Sequence, residues 1–210
     1  MCRNLQFTIL LVLFVFVANT LSAQTTDELL KTAGNQIEKE NWQDALDTYN
    51  KVVQKDHDNA AAFYFRAYVN EKLHRYKFAR SDYEQFLKIA PFNYEGMLGL
   101  ALLNQKDKHY TEAYDQINNL VEMYPDSVSA YIARAGIEEE RSMLEPCIFD
   151  WGEAIRLAPN VGEYYVARAE RLIRVGRKEE ATRDLDKAVE LGINASTVKY
   201  LYKRIKRQKQ

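Results

Sequence analysis

The sequence predicts an all-α protein made of one helical unit repeated five times, and three observations carry that expectation. Alanine recurs at a constant spacing of 34, at Ala33, Ala67, Ala101, Ala135 and Ala169, and a second series of small residues follows at Ala45, Ala79, Ala113, Cys147 and Ala181. Self-similarity at a fixed period of this length marks a repeat architecture. Only 8 glycines and 4 prolines interrupt the 210 residues, too few for the turns of an all-β fold. Runs such as DELLKTAGNQIEKE and KEEATRDLDKAVEL consist of good helix formers.

The segment 1–23 follows a different rule. Arg3 precedes an apolar run from Leu5 to Ala18, and a short polar stretch then ends in Leu21-Ser22-Ala23. This is the order of a secretory signal peptide, with cleavage expected after Ala23 and an uncleaved anchor as the alternative. Cys2 lies ahead of the apolar run, where it cannot serve as a lipid-bearing cysteine. Residues 24–210 hold one thiol, Cys147, so an exported chain is held together by packing alone, without an internal disulfide. The expected location is therefore a bacterial periplasm or cell envelope.

Each repeat reads as two antiparallel helices. Columns of large residues flank the small ones: Leu29, Phe63, Met97, Tyr131, Tyr165; then Tyr49, Tyr83, Ile117, Trp151, Leu185; then Val52, Phe86, Leu120, Ala154, Ala188. Small residues suit the closest approach of the helix axes, and large ones fill the space on either side. The turn inside each repeat is expected at Glu40-Asn41, His74-Arg75, Lys108-His109, Arg141-Ser142 and Gly176-Arg177. Pro91, Pro125 and Pro159 end second helices, while Pro146 fits the first turn of one.

On these residues the chain resembles the tetratricopeptide-repeat family, whose pattern places small residues where the two alanine series stand and proline near the repeat's end. The resemblance covers residues 26–59, 60–93, 94–127, 128–161 and 162–195, followed by a basic capping helix and tail over 196–210. It implies a right-handed superhelical solenoid. The departures are His57 and Ile193 at the proline position, Phe86 and Leu120 at a usually smaller one, and Lys178 where Trp42, Tyr76 and Tyr110 mark an aromatic.

Two charged columns remain. Arg66, Arg134 and Arg168 share one, and Asp82, Asp150 and Asp184 share another at an offset of 16; the first and third repeats lack both members. Pairing inside a repeat leaves no orphan, so structural ion pairs are expected for Arg66 with Asp82, Arg134 with Asp150 and Arg168 with Asp184.

No catalytic constellation is legible. The histidines His57, His74 and His109 have no partner at metal-ligand spacing, phosphate-loop and nucleophile motifs are absent, and no cofactor is implied. Asn194-Ala195-Ser196 matches an N-glycosylation triplet, and Asp126-Ser127-Val128 resembles a short bacterial O-glycosylation acceptor. Lys plus Arg number 29 against 30 for Asp plus Glu, so there is no overall field to gather nucleic acid.

The family resemblance implies that function lies on the concave surface made by the first helices. The residues it places there include Tyr64, Tyr68, Leu98, Leu102, Ile132, Glu139 and Val166. The groove that grips chaperone carboxyl termini in some relatives needs lysine, asparagine and arginine, where this chain has Leu30, Gly34, Gly99, Glu163 and Ala167. The expected function is a non-catalytic scaffold or adaptor that holds a protein or peptide segment. An accessory subunit acting through its convex face or basic tail, and a glycan-associated module, are the alternatives. The tail carries Lys199, Lys203, Arg204, Lys206, Arg207 and Lys209, which suit a solvated cap or contact with anionic envelope components.

Overall fold

The computed structural model describes residues 24–207, so the expected signal peptide lies outside the described residues. Within them the chain forms eleven α-helices: α1 Thr26–Glu38, α2 Trp42–Lys55, α3 Ala60–Lys72, α4 Tyr76–Ile89, α5 Tyr94–Lys106, α6 Tyr110–Met123, α7 Val128–Glu140, α8 Leu144–Leu157, α9 Gly162–Arg174, α10 Lys178–Glu190 and α11 Ala195–Arg207. The first helices, α1 to α9 by odd number, start at Thr26, Ala60, Tyr94, Val128 and Gly162, which is the spacing of the alanine columns, and the second helices keep the same interval. The chain divides into two compact units, one ending at Arg75 with α1–α3 and one beginning at Tyr76 with α4–α11.

The helix boundaries repeat with the same period because their caps do. Thr25, Asn59, Asn93 and Ser127 share one column and accept hydrogen bonds from the backbone amides of Glu28, Ala62, Gly96 and Ala130 at 3.2, 2.9, 2.9 and 3.2 Å. Each satisfies a donor that the first helical turn leaves free. Val161 holds the fifth such position and offers no side-chain acceptor.

First helices end in a common turn. Glu40, His74, Lys108, Ser142 and Gly176 have φ of 56°, 57°, 62°, 60° and 81°. In the second of these turns Arg75 N–H reaches Asn70 O at 2.8 Å and His74 N–H reaches Glu71 O at 3.0 Å, and the other four repeat the pattern. This is the Schellman closure, which favours glycine at the left-handed position; only Gly176 is one.

In the unit formed by α1–α3, the core is Leu29, Ala33, Ala45, Leu46, Tyr49, Val52, Ala62 and Val69. In the unit formed by α4–α11, successive helices pack pairwise, and the small columns are sealed: Ala101, Ala169, Ala113, Cys147 and Ala181 are fully buried and Ala135 is 1% exposed. Ile117, Leu120 and Ile137 form one centre of this core, and Leu172, Leu185 and Leu201 another. Met97 and Trp151, expected as core by their columns, are only half-buried. The Trp151 ring instead lies against Tyr164, with centroids 5.8 Å apart, and under the Arg171 guanidinium.

Gly96 marks the tightest approach of α4 to α5. A Cβ there would overlap the buried Phe86 ring, coming 2.5 Å from its Cδ1 and 3.1 Å from Leu87 Cδ2. Overpacking of this kind costs about 1–3 kcal/mol, offset by up to about 1 kcal/mol of helix propensity. Gly96→Ala is therefore expected to lower stability by about 1–2 kcal/mol in urea denaturation; an unchanged midpoint would show that the Phe86 ring moves freely.

Candidate protein-binding surface

In the larger unit the first helices α5, α7 and α9 carry the residues expected to face a partner. Leu98 and Leu102 lie one turn apart on α5, Ile132 is on α7 and Val166 on α9. Helical geometry places i and i+4 on one face, and α5 and α7 are in direct contact. Leu98 packs partly on the core, Ile132 and Val166 are half-buried, and Leu102 is 41% exposed. Val166 also lines a cavity of about 290 Å³ together with Glu163, Ala167, Glu170, Ile193 and Tyr200.

Glu139 has a different setting from the other six. Its carboxylate accepts from Arg171 Nη2 and, at 2.8 Å, from Arg174 Nη1, so it ties α7 to α9. Arg171 also meets Glu170 at 3.1 Å. The Glu139 carboxylate is thus compensated by arginines of the next repeat.

In the smaller unit, Tyr64 and Tyr68 lie one turn apart on α3, both half-buried. Tyr68 packs edge-on against Trp42 with centroids 6.1 Å apart, and Lys72 Nζ sits 5.0 Å above its ring. Tyr64 stands edge-on to Phe65 at 5.2 Å. Phe65, 42% exposed, borders a cavity of about 330 Å³ with Leu30, Gly34, Ile37 and Tyr49. Rigid aromatic rings at modest entropy cost are suited to contact surfaces.

The larger unit also contains a set of partly buried polar contacts between its helices. Arg134 grips Asp150 with Nε and Nη2, both at 2.7 Å, and its Nη1 reaches Asn118 of α6 at 3.2 Å, so one guanidinium joins α6, α7 and α8. Arg168 grips Asp184 in the same two-pronged way at 2.8 and 2.7 Å. Arg66 donates to Asn50 at 3.1 Å within the smaller unit, and Asp82 is buried in the larger one.

A buried polar column escaped the sequence reading. Gln36, Asn70, Asn104, Glu138 and Leu172 recur with the repeat, and Asn70, Asn104 and Glu138 are at most 4% exposed. Asn104 accepts from Arg80 at 2.7 Å and donates to Gln116 at 2.9 Å. In the next repeat Tyr114 takes the place of Arg80 and Glu138 that of Asn104, with the Tyr114 hydroxyl donating to Glu138 Oε1 at 3.3 Å. Glu138 Oε2 is buried with no hydrogen-bond partner among the described residues. Burial, then the neighbouring Asp150 charge, pushes the Glu138 carboxyl from 4.5 up to about 8, against the pull of Arg134. The available signal was the period itself, which marks a column as constrained whatever its polarity.

The remaining candidates carry little chemistry. Cys147 is fully buried, and burial pushes its thiol up to about 11, which keeps it protonated and unreactive. His109 Nδ1 lies 3.0 Å from Arg80 and 3.3 Å from Asp107. Among the described residues no three of His, Cys, Asp and Glu are grouped to hold a metal ion, and no helix is long and apolar enough to cross a membrane. Ser127 is engaged as a helix cap and bonds the Tyr94 hydroxyl at 2.6 Å, and Asn194 accepts from Ser196.

No protein-family model matches the chain. Over 111 residues, 52% of its length, it is 26% identical to human sperm-associated antigen 1, and that match spans 12% of the human protein. MamA from Desulfovibrio magneticus RS-1 superposes with a TM-score of 0.71 at 18% identity, over 81% of this chain and 97% of that one. YrrB, a TPR protein with an unusual peptide-binding site, gives 0.68 at 18% identity over 85% and 92% of the two chains. A tetratricopeptide repeat protein from Parabacteroides merdae gives 0.62 at 22% identity over 97% and 79%. With helix pairs returning at one constant interval, alanines sealed at each close approach and these structural likenesses, the chain is by fold a tetratricopeptide-repeat protein.

Proposed function

We propose that this protein is a non-catalytic scaffold that holds a segment of a protein partner on the face formed by its first helices. The observation that carries the reading is the apolar set Leu98, Leu102, Ile132 and Val166 on that face, with Leu102 41% exposed. Most apolar side chains in these helices are sealed in the core, and an amphipathic or extended segment is the natural cover for those that are not. YrrB, which shares the fold, is described as having a peptide-binding site. The signal-peptide pattern of residues 1–23 places the scaffold in the cell envelope in this reading, and the amino terminus of protein recovered from the envelope fraction is then Gln24.

The test is a pull-down from an envelope extract. The bait is the native chain, beside a variant with Tyr64, Tyr68, Leu98 and Leu102 changed to serine, after circular dichroism shows that the variant keeps its helicity. A specific partner is expected on the native chain and reduced at least about tenfold on the variant, since a few central side chains dominate such surfaces. Equal capture by both would remove the assignment.

A further inference from the structure

We infer that the outer face of α11 is an electrostatic docking surface for an anionic phospholipid bilayer. The helix ASTVKYLYKRIKR contains five basic residues and no acidic one. Lys199, Lys203, Arg204, Lys206 and Arg207 are all exposed, and none makes a hydrogen bond or ion pair with another described residue. Elsewhere in the larger unit arginines are typically matched, as Arg134, Arg168, Arg171 and Arg177 are.

At about 100° per residue the five cations fall on an arc of about 160°, and at ~1.5 Å per residue they span ~12 Å along the axis. The opposite arc holds Val198, Leu201 and Ile205, which are buried in the core. Tyr202 donates to Asp186 at 2.6 Å, and Tyr200 to Glu170 at 2.5 Å. The helix is held by its buried apolar side and, within the cationic arc, by the Tyr200 bond to Glu170, so the cations are presented together on a fixed helix face.

The arrangement stores repulsion. Lys199 and Lys203 are an i,i+4 pair of like charge, and so are Lys203 and Arg207, an unfavourable spacing on a free helix. Charge is also segregated along the chain. Residues 199–210 carry six basic groups and no acid, and taking those six from the overall −1 leaves −7 for residues 1–198. A negative counter-surface relieves the repulsion on α11.

A bilayer fits better than a polymer for geometric reasons. The cations lie on an outward arc of one helix, which a flat surface meets more fully than a flexible strand does. A plane of headgroups can meet all five at once, and the buried apolar face means that binding is electrostatic, without insertion. The inference is independent of the first-helix face, which uses other residues.

The test is cosedimentation of the full chain with phosphatidylcholine vesicles, with and without phosphatidylglycerol. Each basic side chain near an anionic surface contributes about fivefold in affinity. The native chain is expected to gain binding when phosphatidylglycerol is added and to lose that gain at ~0.5 M salt, where screening is within a few ångströms. The variant K199Q/K203Q/R204Q/R207Q should bind the anionic vesicles about 10²–10³-fold more weakly, while K199R/K203R should bind as the native chain does. No gain from phosphatidylglycerol, a gain insensitive to salt, or an undiminished gain in the glutamine variant would each overturn the inference. So would tighter binding to a DNA duplex at equal salt, which would make the face a polyanion site, or salt-sensitive self-association without vesicles, which would make its partner a second copy.

Discussion

Replacing Arg134 by methionine is expected to lower the unfolding free energy by about 3–5 kcal/mol at pH 7, a large part of the ~5–15 kcal/mol typical of a folded domain. The reason lies in what is left behind. Asp150 is 1% exposed and Glu138 2%, so the substitution strands two carboxyl groups in a low-dielectric layer with no cation. Urea denaturation at pH 7 measures the loss. A loss below about 1 kcal/mol at pH 7 would mean that water screens the pair as it does surface ion pairs.

The preceding repeat contains the remedy. Where α7 and α8 place Arg134, Glu138 and Asp150, α5 and α6 place Leu100, Asn104 and Gln116, with Asn104 donating to Gln116 at 2.9 Å. The triple change Arg134→Leu, Glu138→Asn and Asp150→Gln transplants that neutral solution. It is expected to stay within about 1.5 kcal/mol of the native chain although it includes the removal of Arg134, because contacting residues are strongly non-additive. Tyr114 keeps an acceptor in this variant, since an asparagine Oδ1 can take its hydroxyl as Glu138 Oε1 does.

This comparison shows why part of the molecule was legible in the sequence and part was not. Packing at a close helix approach depends on volume, and volume can be read from a single residue type. The columns of Ala33 and Ala45 therefore gave the period, and Ile117 and Leu185 fall in the core as their column requires. The two-pronged contacts of Arg134 and Arg168 were legible for a related reason, since their aspartates come and go with them at a fixed offset. Glu138 is different: binary patterning assigns a glutamate to the surface, and its burial follows from Tyr114, Arg134 and Asp150 arriving from three other positions. The role of Glu139 was hidden likewise, because Arg171 and Arg174 approach it from the next repeat. Tertiary charge pairing leaves no periodic trace when its members change from repeat to repeat.

Glu138 should also make this protein lose stability as pH rises through neutrality. Its carboxyl is shifted from 4.5 up to about 8, chiefly by burial and then by the Asp150 charge, with Arg134 acting in the opposite sense. Two carboxyls facing one guanidinium favour keeping a proton, and only this repeat has the excess, since Leu172 stands in the same column beside Arg168 and Asp184. Between pH 4.5 and 8 the folded chain holds a proton that the unfolded chain has released. The contribution is therefore fully present below 4.5 and is lost as pH rises towards 8, with a slope approaching about 1.4 kcal/mol per pH unit. Glu138→Gln removes the titration while retaining an acceptor for Tyr114 and an N–H donor for Asp150. The variant should match the native chain near pH 4 and exceed it by a few kcal/mol at pH 8. Tyr114 and Cys147 are both shifted upward by burial, so neither titrates in that window. Parallel pH profiles for the two chains between pH 5 and 8, measured by urea denaturation, would place the proton elsewhere and mean that Glu138 is ionised in the folded state and compensated by Arg134.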